Sequence, residues 1–285
     1  MALKPSYRIV RLANGVTSLR SELDEETFHP VAGPQTESAN LYVQQLRLPE
    51  RLAAHPESFV VWDVGLGAAA NSIAFLRAAE QIPGFVQLLS FDATLAPLRF
   101  ALEHSDELGY FGGFHAEVNA LAEQGHARFQ ARQLQVHWEL ILGDFPTLIA
   151  APESRLLHSP DAILFDPFSP AKNPSMWTEA LFANLFTLVK PGRPCILASY
   201  TRSTLVRVAL LLAGFYVGAG QATGEKEETT VAANTLTLID QPLDRRWLSR
   251  VRRSTSAEPL SGATYRQEAL SASNWERLLA HPQFQ

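Results

Sequence analysis

Residues 59–71 of this 285-residue chain read Phe-Val-Val-Trp-Asp-Val-Gly-Leu-Gly-Ala-Ala-Ala-Asn, and few folds accept such a run. The apolar stretch has the length of a buried strand, the two glycines alternate, and the alanines behind them favour a helix. The segment therefore predicts strand, tight turn and helix. Gly65 can take backbone angles closed to other residues, and Gly67, with no side chain, lets the main chain approach a ligand. Free N–H groups opening the helix would face that ligand's polar atoms. The turn is a candidate nucleotide site, although Gly-x-Gly-x-x-Ala also occurs at ordinary strand-to-helix turns.

The rest of the chain supplies the α/β alternation that such a turn needs. Strands are expected over 59–64, 86–91, 134–142, 161–165, 195–200, 215–217 and 229–239, with helices over 68–81, 94–104, 114–127, 175–190 and 203–213. This is an α/β fold with a seven-stranded, mostly parallel sheet, helices on both faces and a charged turn at 224–228 before the last strand. Asn14-Gly15 between two alternating runs, 7–12 and 16–21, marks a small β-hairpin, read as an appendage ahead of the sheet. Residues 26–40, broken by two prolines and glycine, read first as a linker carrying a helix cap and second as a loop closing over the ligand. Residues 41–54 read as an amphipathic helix or short connector. Three regions follow: 1–54, hairpin and ligand-covering loop; 55–240, the α/β domain; 241–285, a basic extension.

Composition bears on partners. A chain that is 46% hydrophobic and 19% charged suits one globular core. No apolar run approaches the roughly 18 residues of a membrane helix, and residues 1–7 form no apolar signal segment, so a cytoplasmic protein with no membrane partner is expected. Cys195 is the only cysteine, which rules out an internal disulfide and a cysteine metal cluster, and no metal is expected. The net charge of −5 argues mildly against nucleic acid, but residues 241–285 hold seven arginines and four acids. That basic end on an acidic body stays compatible with a polyanion. The run 245–253, five arginines with a tryptophan, fits a solvated helix face or an RNA backbone contact.

Ligands of open α/β sheets lie at the carboxyl ends of strands. Asp92 stands at the second strand end, where an acid can bond both ribose hydroxyls or cap the next segment. Asp144, after the third strand, reads on its own as a helix cap. The loop 166–177 contains Pro167, Pro170 and Pro174, which fix its backbone and hold Asp166 and Phe168 at the mouth of the same cleft. The other reading of Asp166 is a structural cap at a strand end. Lys172 fits either a solvated position or a phosphate contact.

Asp63, two residues before Gly65, gives the turn the look of the first motif of class I S-adenosylmethionine-dependent methyltransferases. Three stretches together, Glu26-x-Phe-His-Pro-x-x-Gly-Pro-x-x-Glu-Ser, Asp63-x-Gly-x-Gly-x-x-x-Asn71 and Asp166-x-Phe-x-Pro-x-Lys-Asn-Pro-x-x-Trp177, resemble the methyltransferase family that finishes 5-methylaminomethyl-2-thiouridine at the tRNA wobble position. The resemblance runs from about residue 8 to 240 and matches the stand-alone form, without the flavin-dependent oxidoreductase fused in some members. It implies a class I, Rossmann-like methyltransferase fold, S-adenosyl-L-methionine as cofactor and tRNA as partner. It also implies Gly65, Gly67 and Asn71 at the methionine end of the cofactor, Asp92 at the ribose, Asp144 at the adenine, and Asp166 with Phe168 at the substrate amine. Departures are Ala69 where glycine is usual, Asp92 where the acid is one carbon longer, and Pro167 where glycine or alanine is usual. The expected activity is N-methylation of the aminomethyl group of a wobble uridine. A methyltransferase for a small amine, a non-catalytic nucleotide-binding protein and a dehydrogenase are the alternatives.

Overall fold

The computed structural model describes residues 6–221 and 228–285. Its frame is an eight-stranded sheet, in order β5 (His126–Ala131), β6 (Leu134–Leu142), β4 (Gly84–Asp92), β3 (Phe59–Val64), β7 (Ala162–Phe165), β8 (Ile196–Ser199), β10 (Thr229–Ala233) and β9 (Tyr216–Gly220). β6, β4, β3, β7 and β8 run parallel, while β5, β9 and β10 pair antiparallel with their neighbours. A separate two-stranded hairpin, β1 (Tyr7–Arg11) and β2 (Thr17–Ser21), precedes them.

β3 is central because every one of its six residues is buried. Phe59 and Val61 pack into one core layer, and Val60, Trp62 and Val64 into the other, the alternation that a strand covered on both faces requires. The first layer draws on residues 19–52 and the helices Ala70–Ala79 and His115–Gln124. The second is covered by the helices Glu179–Leu188, Thr204–Leu212 and Arg245–Val251, with Leu278 and Phe284 from the end of the chain. The hairpin is more than an appendage, since Leu19 is buried within the first layer.

The sheet has one strand more than the seven expected. The helix expected over 114–127 stops at Gln124, where Gly125 takes φ 76° as its cap. The chain then turns back as β5, with Ala131 opposite Leu134. The hairpin turn is Arg132-Gln133, with Arg132 at φ 52°, and that pair lacks the Asn-Gly or Asp-Gly signature that marks such turns in a sequence. The helix expected over 175–190 is split in two. Pro174–Trp177 forms a 3₁₀ turn, and the Thr178 hydroxyl accepts the Leu181 N–H at 3.1 Å to start the helix proper. The strand expected over 229–239 ends at Ala233 and gives way to a 3₁₀ turn at Leu236–Leu238. Of the expected charged turn, residues 224–227 lie outside the described residues. Residues 39–44, inside the stretch expected as helix or connector, form a π-helical turn between the helices Pro34–Ser38 and Leu48–Ala54. No helix among the described residues is long and apolar enough to cross a membrane.

Candidate active site

The carboxyl ends of β3, β4, β6 and β7 open into a cavity of about 670 Å³. Its floor is the turn after β3. Gly65 and Gly67 take φ 89° and 54°, and a Cβ on Gly65 would stand 2.9 Å from the Asp166 carbonyl oxygen. A Cβ on Gly67 would meet the Phe28 ring at the same distance, so both positions need glycine for space as well as for angle. Ala69, one of the departures, pays in strain: it caps the helix Ala70–Ala79 in the left-handed region at φ 64°, where a methyl-bearing residue costs roughly 1–2 kcal/mol.

Asp92 sits at the end of β4 and reaches the turn. Its carboxylate accepts the Gly67 N–H at 2.8 Å and the Thr94 N–H at 3.1 Å. Burial raises its pKa against the pull of these donors. Asp144 lies at the cavity edge and caps the helix Phe145–Ala150, accepting the Thr147 N–H at 3.1 Å. Asp63 does not line the cavity. It is fully buried beneath the turn, bonded by the Ser72 hydroxyl, with Oδ1 unpartnered, and burial pushes its carboxyl up to about 8. Ser72 approaches Ser90, whose hydroxyl accepts the Trp138 indole N–H at 2.9 Å, so a buried polar chain ties β3, β4 and β6 together under the glycines.

Asp166 closes the far side. Its side chain, 17% exposed, accepts the Asn71 amide N–H at 2.8 Å, and Asn71 in turn accepts the Ser38 hydroxyl at 2.6 Å. The carboxylate fixes the amide orientation, because only Nδ2 can face it. Asn71 thus grips Asp166 from the helix that the glycine turn opens, joining two of the stretches singled out in the sequence. The Tyr42 hydroxyl donates to the carbonyl of Phe165, the residue just before Asp166, at 3.3 Å. Burial raises the Asp166 pKa, opposed by His29, Asn71 and Tyr42. Phe168 meets Phe28 edge-on at 5.5 Å, and its carbonyl accepts the Trp177 indole N–H at 2.8 Å.

Residues 24–37 complete the wall, and the linker reading of this loop is corrected by its place along the cavity. Glu26 accepts the Ser169 N–H at 3.1 Å and its hydroxyl, while Lys172 pairs with Glu25 at 2.9 Å. Glu37 accepts the N–H groups of Val31, Ala32 and Gly33 at 2.7, 2.8 and 3.3 Å, which fixes the turn that presents His29. Three wall residues had been given no role from the sequence: His29, Glu37 and Tyr200. His29 and Glu37 both stood inside the recognisable stretch 26–38, which was the available clue. Tyr200 joins them only through the fold. Among the described residues no group of three or more His, Cys, Asp or Glu is placed to hold a metal ion.

The geometry suits an adenosyl cofactor: a glycine-floored cleft at strand ends, with an acid on the neighbouring strand, is where such a ligand lies in an open α/β sheet. Comparison with known proteins agrees. Residues 113–235 match a family model described as S-adenosyl-L-methionine-dependent methyltransferase. The chain is 32% identical over 222 residues, 74% of its length, to the tRNA 5-methylaminomethyl-2-thiouridine biosynthesis bifunctional protein MnmC of Aeromonas hydrophila. It is 30% identical over 201 residues, 67% of its length, to the protein of the same name from Aeromonas salmonicida. These matches span 33% and 30% of the relatives, so the chain covers about a third of their length. The crystal structure of MNMC2 from Aquifex aeolicus superposes with a TM-score of 0.69 at 22% identity, over 98% of this chain and 84% of that one, and shares its fold. By its matched segment, the chain belongs to the S-adenosyl-L-methionine-dependent methyltransferases.

Proposed function

We propose that the chain is an N-methyltransferase acting on the aminomethyl group of a wobble uridine in tRNA, 5-aminomethyl-2-thiouridine. The observation that carries this reading is the Asp166 carboxylate, held by Asn71 on the wall of the cavity floored by the glycine turn. The names of the Aeromonas relatives supply the substrate class. In this reading Gly65, Gly67 and Asn71 border the methionine end of the cofactor, Asp92 the ribose and Asp144 the adenine.

The bound cofactor would supply an activated sulfonium methyl group to a nitrogen lone pair, with the thioether sulfur as leaving group. The protein's own task is to present that lone pair. An alkyl amine has a pKa of roughly 10 and arrives largely protonated near neutrality. Asp166 accepts a hydrogen bond from the amine, takes its surplus proton and aims the lone pair. Phe168 and Phe28 exclude water on one side and offer ring faces to the cation. The three prolines of the loop hold these groups with little freedom left to lose on binding. A tRNA substrate would place the protein in the cytoplasm.

A second reading, methylation of a small amine, is favoured by the acids that line the cavity, Asp24, Glu25, Glu26 and Glu37, which suit a free cation. Calorimetry with S-adenosylhomocysteine tests the cofactor, and Gly67→Val should abolish binding. Mass spectrometry of wobble-uridine nucleosides from cells lacking the protein tests the substrate. Accumulated 5-aminomethyl-2-thiouridine supports the tRNA reading, and an unchanged nucleoside profile turns it toward the small amine.

A further inference from the structure

We propose that His29 is the proton outlet of this site: it takes from Asp166 the proton that the substrate amine gives up and passes it to solvent at the cavity mouth. This rests on the amine-methylation reading above. His29 Nε2 stands 3.8 Å from Asp166 Oδ2, and both side chains line the cavity, so once an amine covers the carboxylate the imidazole is the base left beside it. The distance exceeds a hydrogen bond, and transfer runs through one bridging water or after the loop tightens on substrate.

The placement is costly. His29 has φ 46°, in the left-handed region, and stands before Pro30, which itself restricts the preceding residue. A non-glycine residue there costs on the order of 1–3 kcal/mol and persists only when its surroundings over-determine it. Here they do. Phe28 N–H donates to the Leu19 carbonyl at 2.8 Å, Ser18 bonds the Phe28 carbonyl, and Glu37 caps the turn from the other side. Strand β2 and the helix Pro34–Ser38 together hold the imidazole toward the Asp166 carboxylate.

The other ionisable groups around the pair leave this route open. Glu37 is committed to three backbone donors and Glu26 to Ser169. The Tyr42 and Tyr200 phenols are held neutral by burial, and Lys172 pairs with Glu25. The step balances as a proton relay. An N–H bond of the ammonium breaks as an O–H bond forms on Asp166; that bond breaks as an N–H bond forms on the His29 imidazole; the imidazolium then releases the proton to water. Asp166 is left ionised for the next amine.

His29→Gln is tested on tRNA isolated from cells lacking this protein, with kcat/KM followed against pH. The expected loss is on the order of a hundredfold near neutrality, the low end for assisted proton transfer, and it shrinks as pH rises because the amine then arrives already neutral. A loss equal at all pH values, or none, overturns the relay. A second measurement needs neither cofactor nor substrate: the imidazole ring signals of His29 are compared by NMR in wild type and Asp166→Asn. Removal of the facing carboxylate should shift those signals, and unmoved signals overturn the contact on which the relay rests. A wild type inactive on that tRNA defeats the substrate reading alone, and the NMR comparison then decides whether His29 faces Asp166.

Discussion

At the glycine turn the cavity wall is the main chain of residues 65–68 with Asp92 and Asp144, all at the ends of the adjacent parallel strands β3, β4 and β6. At the amine end it is side chains brought from residues 24–41, 71, 166–169 and 200. The first end is built from local signals: a strand, two glycines with positive φ and an acid at the next strand end. The second exists only after segments 143 and 95 residues apart have met, as when Ser169 docks on Glu26 and Asp166 on Asn71. In the function proposed above, the first end holds a cofactor common to many methyltransferases, and the second, the amine end, would carry substrate choice and proton handling.

Substitutions at the two ends should separate binding from chemistry. Asp166→Asn should lower the methylation rate by on the order of a hundredfold or more, because the lost interaction acts mainly in the transition state, and leave S-adenosylhomocysteine affinity within about threefold. Single-turnover kinetics beside calorimetry check this. A large loss of cofactor affinity would erase the division between the ends. Asp92→Ala should do the reverse, weakening cofactor binding by about 1–3 kcal/mol, the scale of a charge-assisted hydrogen bond. An unchanged dissociation constant would reduce Asp92 to a clasp on the Gly67 and Thr94 amides.

Beneath the turn, Asp63 predicts a pH effect on stability. Its folded pKa lies near 8, above the unfolded value of 3.8. Between those values the unfolded chain has released the proton while the folded chain keeps it, so stability is full below the lower value and falls as pH rises toward 8. Asp63→Asn should remove a slope of up to roughly 1.4 kcal/mol per pH unit, measured by denaturant unfolding across that window. An identical slope in the variant would mean that Asp63 is ionised in the folded protein.

The smallest effect is expected outside both ends. Arg246, Arg250 and Arg253 are exposed on and beside the helix Arg245–Val251, whereas Arg245 bonds the Phe284 carbonyl at 2.7 Å and Arg252 lies over the Trp275 ring. Changing the first three to Ala should raise KM for tRNA by about threefold and flatten its salt dependence, with turnover at saturation nearly intact. Equal behaviour of wild type and variant across salt would remove this face from the RNA contact.

By itself the sequence determined the α/β class, the central strand 59–64, the positions of Gly65 and Gly67, and the acid at the end of the second strand. Each rests on a short-range cause: apolar run length, backbone angles open to glycine, or the fixed meeting of strand end and turn. It also located Asp166 and Phe168, because three prolines stiffen their own loop. What only the tertiary structure decided has no local cause. The antiparallel β5 follows from Arg132 accepting a left-handed angle that its type does not announce. The hairpin and the loop 24–37 become cavity wall because Leu19 finds a place in the core and Glu26 and Glu37 find distant or backbone donors. His29 faces Asp166 for the same reason: a contact between residues 137 positions apart is set by the packing of everything between them, and no spacing within either motif encodes it.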